Sequence, residues 1–164
     1  MSAFLRIVRL MAMVVWVGGL VFFAFVLAPV AFSVLPSTHQ AGLVVAGTLG
    51  VLNQMGLVCG FLFMLGLPWK IATWRSGRLL LAEIVCVAAM MAATIYVQFR
   101  IVPQMERDRI AAGGDVGAAP PDNPARLDFE RLHPISEKME GAALFMGLGV
   151  VVLMGLESIP DLRG

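Results

Sequence analysis

Between Arg9 and Lys70 the chain carries no Lys, Arg, Asp or Glu, and a run that long without charge cannot form the surface of a water-soluble domain. At about 20 apolar residues per bilayer crossing, it holds two membrane spans. The break between them, residues 33–40 (SVLPSTHQ), has the Pro, Ser and Thr of a turn. Composition extends the reading to the rest of the chain: 59% of residues are hydrophobic and 14% charged, against roughly 45–50% and 25% in ordinary soluble domains. Mean hydropathy is +0.87. With 164 residues there is room for a single membrane domain of four spans with one sizeable loop. A net charge of +1 supplies no concentrated basic face of the kind nucleic-acid binders carry, so the expected surroundings are a lipid bilayer and no nucleic acid.

The spans fall at about residues 10–32, 41–67, 79–102 and 134–157, with a loop over 103–133. The first apolar run is too long for a signal-peptide core of about 7–15 residues and reads as a retained span. Pro68, Trp69 and Lys70 mark the exit of span two, and Pro103 is expected to end span three because proline lacks the N–H and disfavours continued helix. Gly113, Gly114, Pro120, Pro121 and Pro124 then give loop chemistry, and Pro134 suits a first helical position with His133 as its cap. The expected fold is thus an all-α integral membrane protein, a four-transmembrane-helix bundle with a long outer loop between helices 3 and 4.

Orientation follows from the basic residues near the spans. Arg6 and Arg9 precede span one; Lys70, Arg75 and Arg78 separate spans two and three; the first hairpin has neither Lys nor Arg. The positive-inside rule places both termini in the cytoplasm of a cell with an inner membrane. Trp69 and Trp74 then sit in the inner interfacial belt, and Tyr96 lies toward the outer end of span three. Gly42, Ala46 and Gly50, followed by Gly56 and Gly60, let a neighbouring backbone approach span two closely. This spacing serves packing within the chain or a homodimer, and a larger complex could supply other membrane subunits.

A carboxylate inside a span is costly enough to mark a functional hypothesis. Glu83 is the clearest case, about one turn into span three, on a face shared with Cys86, Met90 and Thr94. Cys59 lies at a similar depth, so Glu83, Cys86 and Cys59 are a possible ligand mixture; the plainer expectation pairs Glu83 with Arg78, Arg75 or Lys70 at the interface, and leaves the thiols as packing groups. Asn53 and Gln54, midway along span two, suit hydrogen bonds to a neighbouring helix.

His39 and His133 stand at the outer ends of spans two and four. With Glu137 and Glu140 at helical spacing after His133, and Met105 and Met139 near in sequence, they form a candidate metal set for copper, or, through the two histidines, for haem. The plainer alternative is a solvated helix start whose acids favour the positive dipole end. No GxSxG, GxxxxGK[ST], CxxC or HExxH pattern occurs, so nothing marks an enzyme. The expected function is a binding, transport-related or accessory role.

Three segments, WVGGLVFFAFVLAPVAFSVLPSTHQAGLVVAG from Trp16, the end of span three around Pro103, and FERLHPIS from Phe129, resemble the transmembrane-protein-205-like family, also described as domain of unknown function 4149. The chain departs from that pattern at Leu49 to Gln54 (LGVLNQ), where the family tends to aromatic residues, and at Glu140, where Asn is common. The resemblance implies four helices in an inner membrane with no established reaction. It marks His133 and Ser136 as positions of interest, and its eukaryotic relatives, associated with resistance to platinum drugs, lean toward metal or xenobiotic handling.

Overall fold

Long apolar runs with few interior helix breakers leave the backbone one way to satisfy its polar groups in lipid, the α-helix. The computed structural model describes residues 3–66 and 77–156. Four helices in it are long and apolar enough to cross a membrane: α1 (Ala3–Val34), α2 (Thr38–Leu65), α3 (Arg78–Ala111) and α4 (Pro124–Leu156). The described residues contain no strand.

The helix ends have local causes. Ser37 sits in extended conformation before α2 and its hydroxyl accepts the Gln40 backbone N–H at 3.2 Å, the N-cap half of a capping-box pattern. Replacing Ser37 by Ala should lower thermal stability in detergent by about 1 kcal/mol, measurable as a lower midpoint of unfolding; an unchanged midpoint would mean the cap is not formed. At the end of α3, Gly114 N–H bonds Arg109 O at 2.9 Å and Gly113 N–H bonds Ile110 O at 3.0 Å. This is the Schellman arrangement, and the φ of +90° at Gly113 is why glycine is needed there. Asn123 caps the start of helix α4: its side-chain oxygen accepts the N–H groups of Ala125 and Arg126 at 2.9 and 3.3 Å.

Two boundaries differ from the sequence expectation. Pro103 does not end the third helix. A π-helical turn, Val97–Ile101, precedes it, as another, Phe23–Leu27, precedes Pro29 in α1. A proline crowds the carbonyl four residues back, here Phe99 and Phe25, and the wider turn displaces those carbonyls so that both helices run on. Nor does α4 begin at Pro134: it starts at Pro124 and carries Pro134 inside, so His133 is an interior helical residue rather than a cap. The expected loop over 103–133 shrinks to 112–123. At about 1.5 Å per residue, the 34 residues of α3 and 33 of α4 exceed the ~30 Å hydrocarbon core. Their charged ends project beyond it and pack on each other.

Neighbouring helices pack in the cyclic order α1, α2, α3, α4, with α4 returning to α1. The centre is filled by Met13, Trp16, Phe63, Val87, Met90 and Val150, each at most 1% exposed. Phe25, Val51, Val58, Leu81, Phe99, Phe145 and Val152 point outward, an apolar surface suited to lipid and far beyond what a soluble monomer exposes. The glycines of α2 divide sharply. A Cβ on Gly56 would lie 2.3 Å from Trp16 Nε1 and one on Gly60 2.7 Å from Met91 Cγ, whereas Gly42 and Gly50 face open space. The close-packed part of the stripe is therefore occupied within the chain, by α1 and α3. Pro68, Trp69, Lys70, Trp74 and Arg75 lie outside the described residues.

Candidate functional site

Each pair of diagonal helices is joined across the bundle by one polar contact. The first ties α1 to α3. Arg9, expected to flank the first span, is instead 2% exposed within the bundle, and its Nη2 donates to Glu83 Oε2 while its guanidinium carbon lies 4.2 Å from the centre of the Phe63 ring. A Cβ on Gly66 would meet Arg9 Cδ at 2.7 Å, so a side chain there would crowd the arginine. Glu83 itself is 0% exposed. Arg9 thus supplies Glu83 with a cation from within the bundle; of the partners expected at the interface, Arg78 is exposed, and Lys70 and Arg75 lie outside the described residues. A long guanidinium fork reaches where a diagonal neighbour's backbone does not.

The face expected from Glu83 does turn inward, since Met90 and Thr94 are buried, with Cys86 partly so. Cys59 is buried, and both thiols are free.

The second contact ties α2 to α4. Asn53 is 1% exposed, and its side-chain amide faces the Glu140 carboxylate. Neither Asn53 Nδ2 nor either Glu140 oxygen completes a hydrogen bond of normal geometry, and all three atoms are out of reach of water. Of the two amides expected to reach a neighbouring helix, Asn53 faces the bundle and Gln54 is exposed. Successive helical residues are turned by about 100°, so only one of the two can face the centre.

Above this floor, toward the 35–37 turn and the 112–123 loop, the helices diverge around a cavity of about 620 Å³, within the usual range for small-molecule sites. Its walls are apolar, from Leu20, Phe23, Leu49, Val102, Phe129 and Leu144, and its rim is polar. His39, His133, Ser136, Glu137 and Glu140 all line it, so the two histidines do share one end of the bundle. The π-helical turn of α1 supplies Phe23 and Ala24, and the residues just past the turn of α3 supply Val102 and Met105. The widened turns thus shape the wall. Loop residues Asp115, Val116 and Gly117 form part of the roof, held by Arg126 Nη1 donating to Ala119 O at 2.7 Å and Arg109 Nη1 to Gly114 O at 3.3 Å.

The expected metal set is not assembled. His133 stacks on Phe129 with ring centres 6.1 Å apart and places Nε2 3.4 Å from Glu137 Oε1, while Glu140 turns inward to Asn53. Among the described residues no three His, Cys, Asp or Glu side chains converge on a common point that could hold a metal ion, and this includes Glu83, Cys86 and Cys59.

The rim carboxylates that the sequence did not single out are each engaged. Glu106 takes Arg109 Nε at 2.8 Å, Glu130 takes Arg126 Nε at 2.7 Å, and Asp115 accepts the Gly117 N–H at 2.9 Å. The hydrogen bonds from Arg109 hold Glu106, on the charged end of α3 beyond the membrane, below the usual carboxylate range. The two Arg–Glu pairs follow i, i+3 and i, i+4 spacing, a local signal in the sequence; that they stand beside a cavity has no such signal.

No curated protein sequence and no solved structure gives a significant match to the chain. A family model does, over residues 11–110, which takes in α2, most of α1 and α3, and both π-helical turns. Covering more than half of the sequence, that match places the chain in the family described as Domain of unknown function (DUF4149).

Proposed function

We propose that this protein is a non-enzymatic, ligand-binding membrane component of transport-related or accessory type, set in an inner membrane with both termini in the cytoplasm. The observation that carries the reading is the cavity: a partly open, mostly apolar volume of about 620 Å³ with a polar rim, between helices whose outward faces suit lipid. Arg6 and Arg78 lie near the end opposite the cavity, and Arg109 and Arg126 at the rim are neutralised by Glu106 and Glu130. That imbalance supports a cavity opening to the outer side. The resemblance to the transmembrane-protein-205-like family fits a protein that handles small molecules without transforming them.

The test uses the purified protein in lipid nanodiscs. Triphenylphosphine oxide, an uncharged aromatic probe, should bind saturably at one site per chain by isothermal titration. Gly42 lines the cavity, and a Cβ there meets nothing within 4 Å, so Gly42→Phe should fit without disturbing the bundle and should weaken binding by about tenfold or more, a loss of about 1.4 kcal/mol. Absence of saturable binding to the wild type would overturn the reading, as would a Gly42→Phe protein that binds equally well.

A further inference from the structure

Besides Asp108, which accepts from Gln104 Nε2 at 2.9 Å near the charged end of α3, the bundle encloses the carboxylates of Glu83 and Glu140, and it treats them differently. Glu83 has Arg9 against it. Glu140 has no cation near it among the described residues: each rim arginine is held by a rim acid, His133 is turned to Glu137, and what faces Glu140 is the neutral amide of Asn53. Asn53 lies 15 residues into α2, about 22 Å along its axis, so this carboxylate sits at membrane depth, where an acid without a partner is expensive. Yet it also lines the cavity between the helices.

We propose that the ligand of this cavity is a lipophilic organic cation, whose charged centre pairs with Glu140 at the floor while its apolar body fills the walls. The inference rests on the ligand-binding reading above and names the ligand's chemistry. Charge complementarity supports it. Glu106, Asp115, Glu130, Glu137 and Glu140 line the space with Arg109 and two histidines, and Arg126 pairs with Glu130 beside it; with both arginine pairs formed, Asp115, Glu137 and Glu140 remain, so the cavity favours positive charge. Size and polarity agree, since a cation with aromatic or alkyl groups can reach the floor from an apolar chamber and a hydrated metal ion cannot shed its water there. Engagement needs only a change of rotamer at Glu140, from Asn53 toward the cavity, with Asn53 then supplying its amide oxygen to the cation. The Asn53 amide N–H group, also without a hydrogen bond of normal geometry, is part of the same unsettled floor.

The experiment compares tetraphenylphosphonium with tetraphenylborate, which has the same shape and the opposite charge, on wild-type protein in nanodiscs of zwitterionic lipid. Triphenylphosphine oxide serves as the neutral control. The cation should bind at least about tenfold more tightly than the anion, and Glu140→Gln should remove most of that preference while leaving the neutral probe's affinity unchanged. Neutral binding with no preference for the cation would overturn the charge assignment and leave the cavity reading standing; no saturable binding of any probe would overturn both. A cation preference that survives in folded Glu140→Gln protein would overturn the role of Glu140, and would leave a proton or a structural contact as what its carboxyl serves. Should Glu140→Gln fail to fold, the wild-type comparison of cation with anion still decides the ligand's charge.

Discussion

Arg9→Met is expected to destabilise the folded bundle by about 3–5 kcal/mol, and Glu83→Gln by a similar amount, because each breaks a buried ion pair by removing one of its charges. Arg9 is 2% and Glu83 0% exposed, so water cannot replace the lost contact, and Phe63 offers the guanidinium only the face of its ring. The double variant Arg9→Met/Glu83→Met should recover most of the loss, since desolvating two charges roughly cancels their attraction and apolar side chains of similar size are tolerated. Unfolding of each variant by SDS from mixed micelles, followed by circular dichroism, measures all four corners of the cycle. Single losses below about 1 kcal/mol, the range of exposed ion pairs, would show that the pair is hydrated. The contact joins diagonal helices, so its loss should also loosen the end of the bundle opposite the cavity, visible as faster amide exchange near Gly66.

Gly56→Ala is the second large effect. A methyl group there would stand 2.3 Å from Nε1 and within 2.8 Å of two more atoms of the Trp16 indole, a ring 1% exposed and walled in by the core. Neither the ring nor the two helix backbones can retreat without separating α1 from α2, and overpacking of this kind costs about 1–3 kcal/mol. Gly50→Ala on the same helix meets nothing within 4 Å and should be neutral or slightly stabilising, as alanine is the better helix former. Adding Trp16→Leu to Gly56→Ala should recover part of the loss by making room. Equal stability of the Gly56→Ala and wild-type proteins would show that the indole does not pack on α2 at this position. A drop in oligomer size with unchanged monomer stability would instead assign Gly56 to an interface between copies.

Individual residues show which features a sequence carries openly. The inward face of α3 was legible because Glu83, Met90 and Thr94 recur with helical spacing, and spacing is all that is needed to place residues on one face. The caps at Ser37 and at Gly113 and Gly114 act within a few residues, yet in the sequence the first shows only as part of a turn and the second only as loop. Pro103 misled because its usual effect is local, while the π-helical turn that accommodates it is held by tertiary packing of α3 on its neighbours. His133 was read as a cap for a similar reason: Pro134 weighs against helix before it, and the contact of the extended α3 and α4 ends outweighs that preference. Arg9 misled most. At the edge of an apolar run it has the placement of an interfacial anchor, and only the position of Glu83 on another helix makes it an interior residue.

The uncharged stretch from Arg9 to Lys70 and the hydropathy of the rest determined by themselves that this chain crosses a membrane four times as helices. Transfer of apolar side chains into lipid is additive along the chain and needs no knowledge of neighbours. Only the tertiary structure decided that Arg9 neutralises Glu83, that Asn53 and not Gln54 faces Glu140, and that the two histidines border one cavity. Those outcomes depend on the rotation of each helix about its axis and on its axial register against three others. Helix–helix packing in lipid sets both through small residues and shape, and a turn of one residue, about 100°, is enough to exchange what faces the bundle for what faces the bilayer.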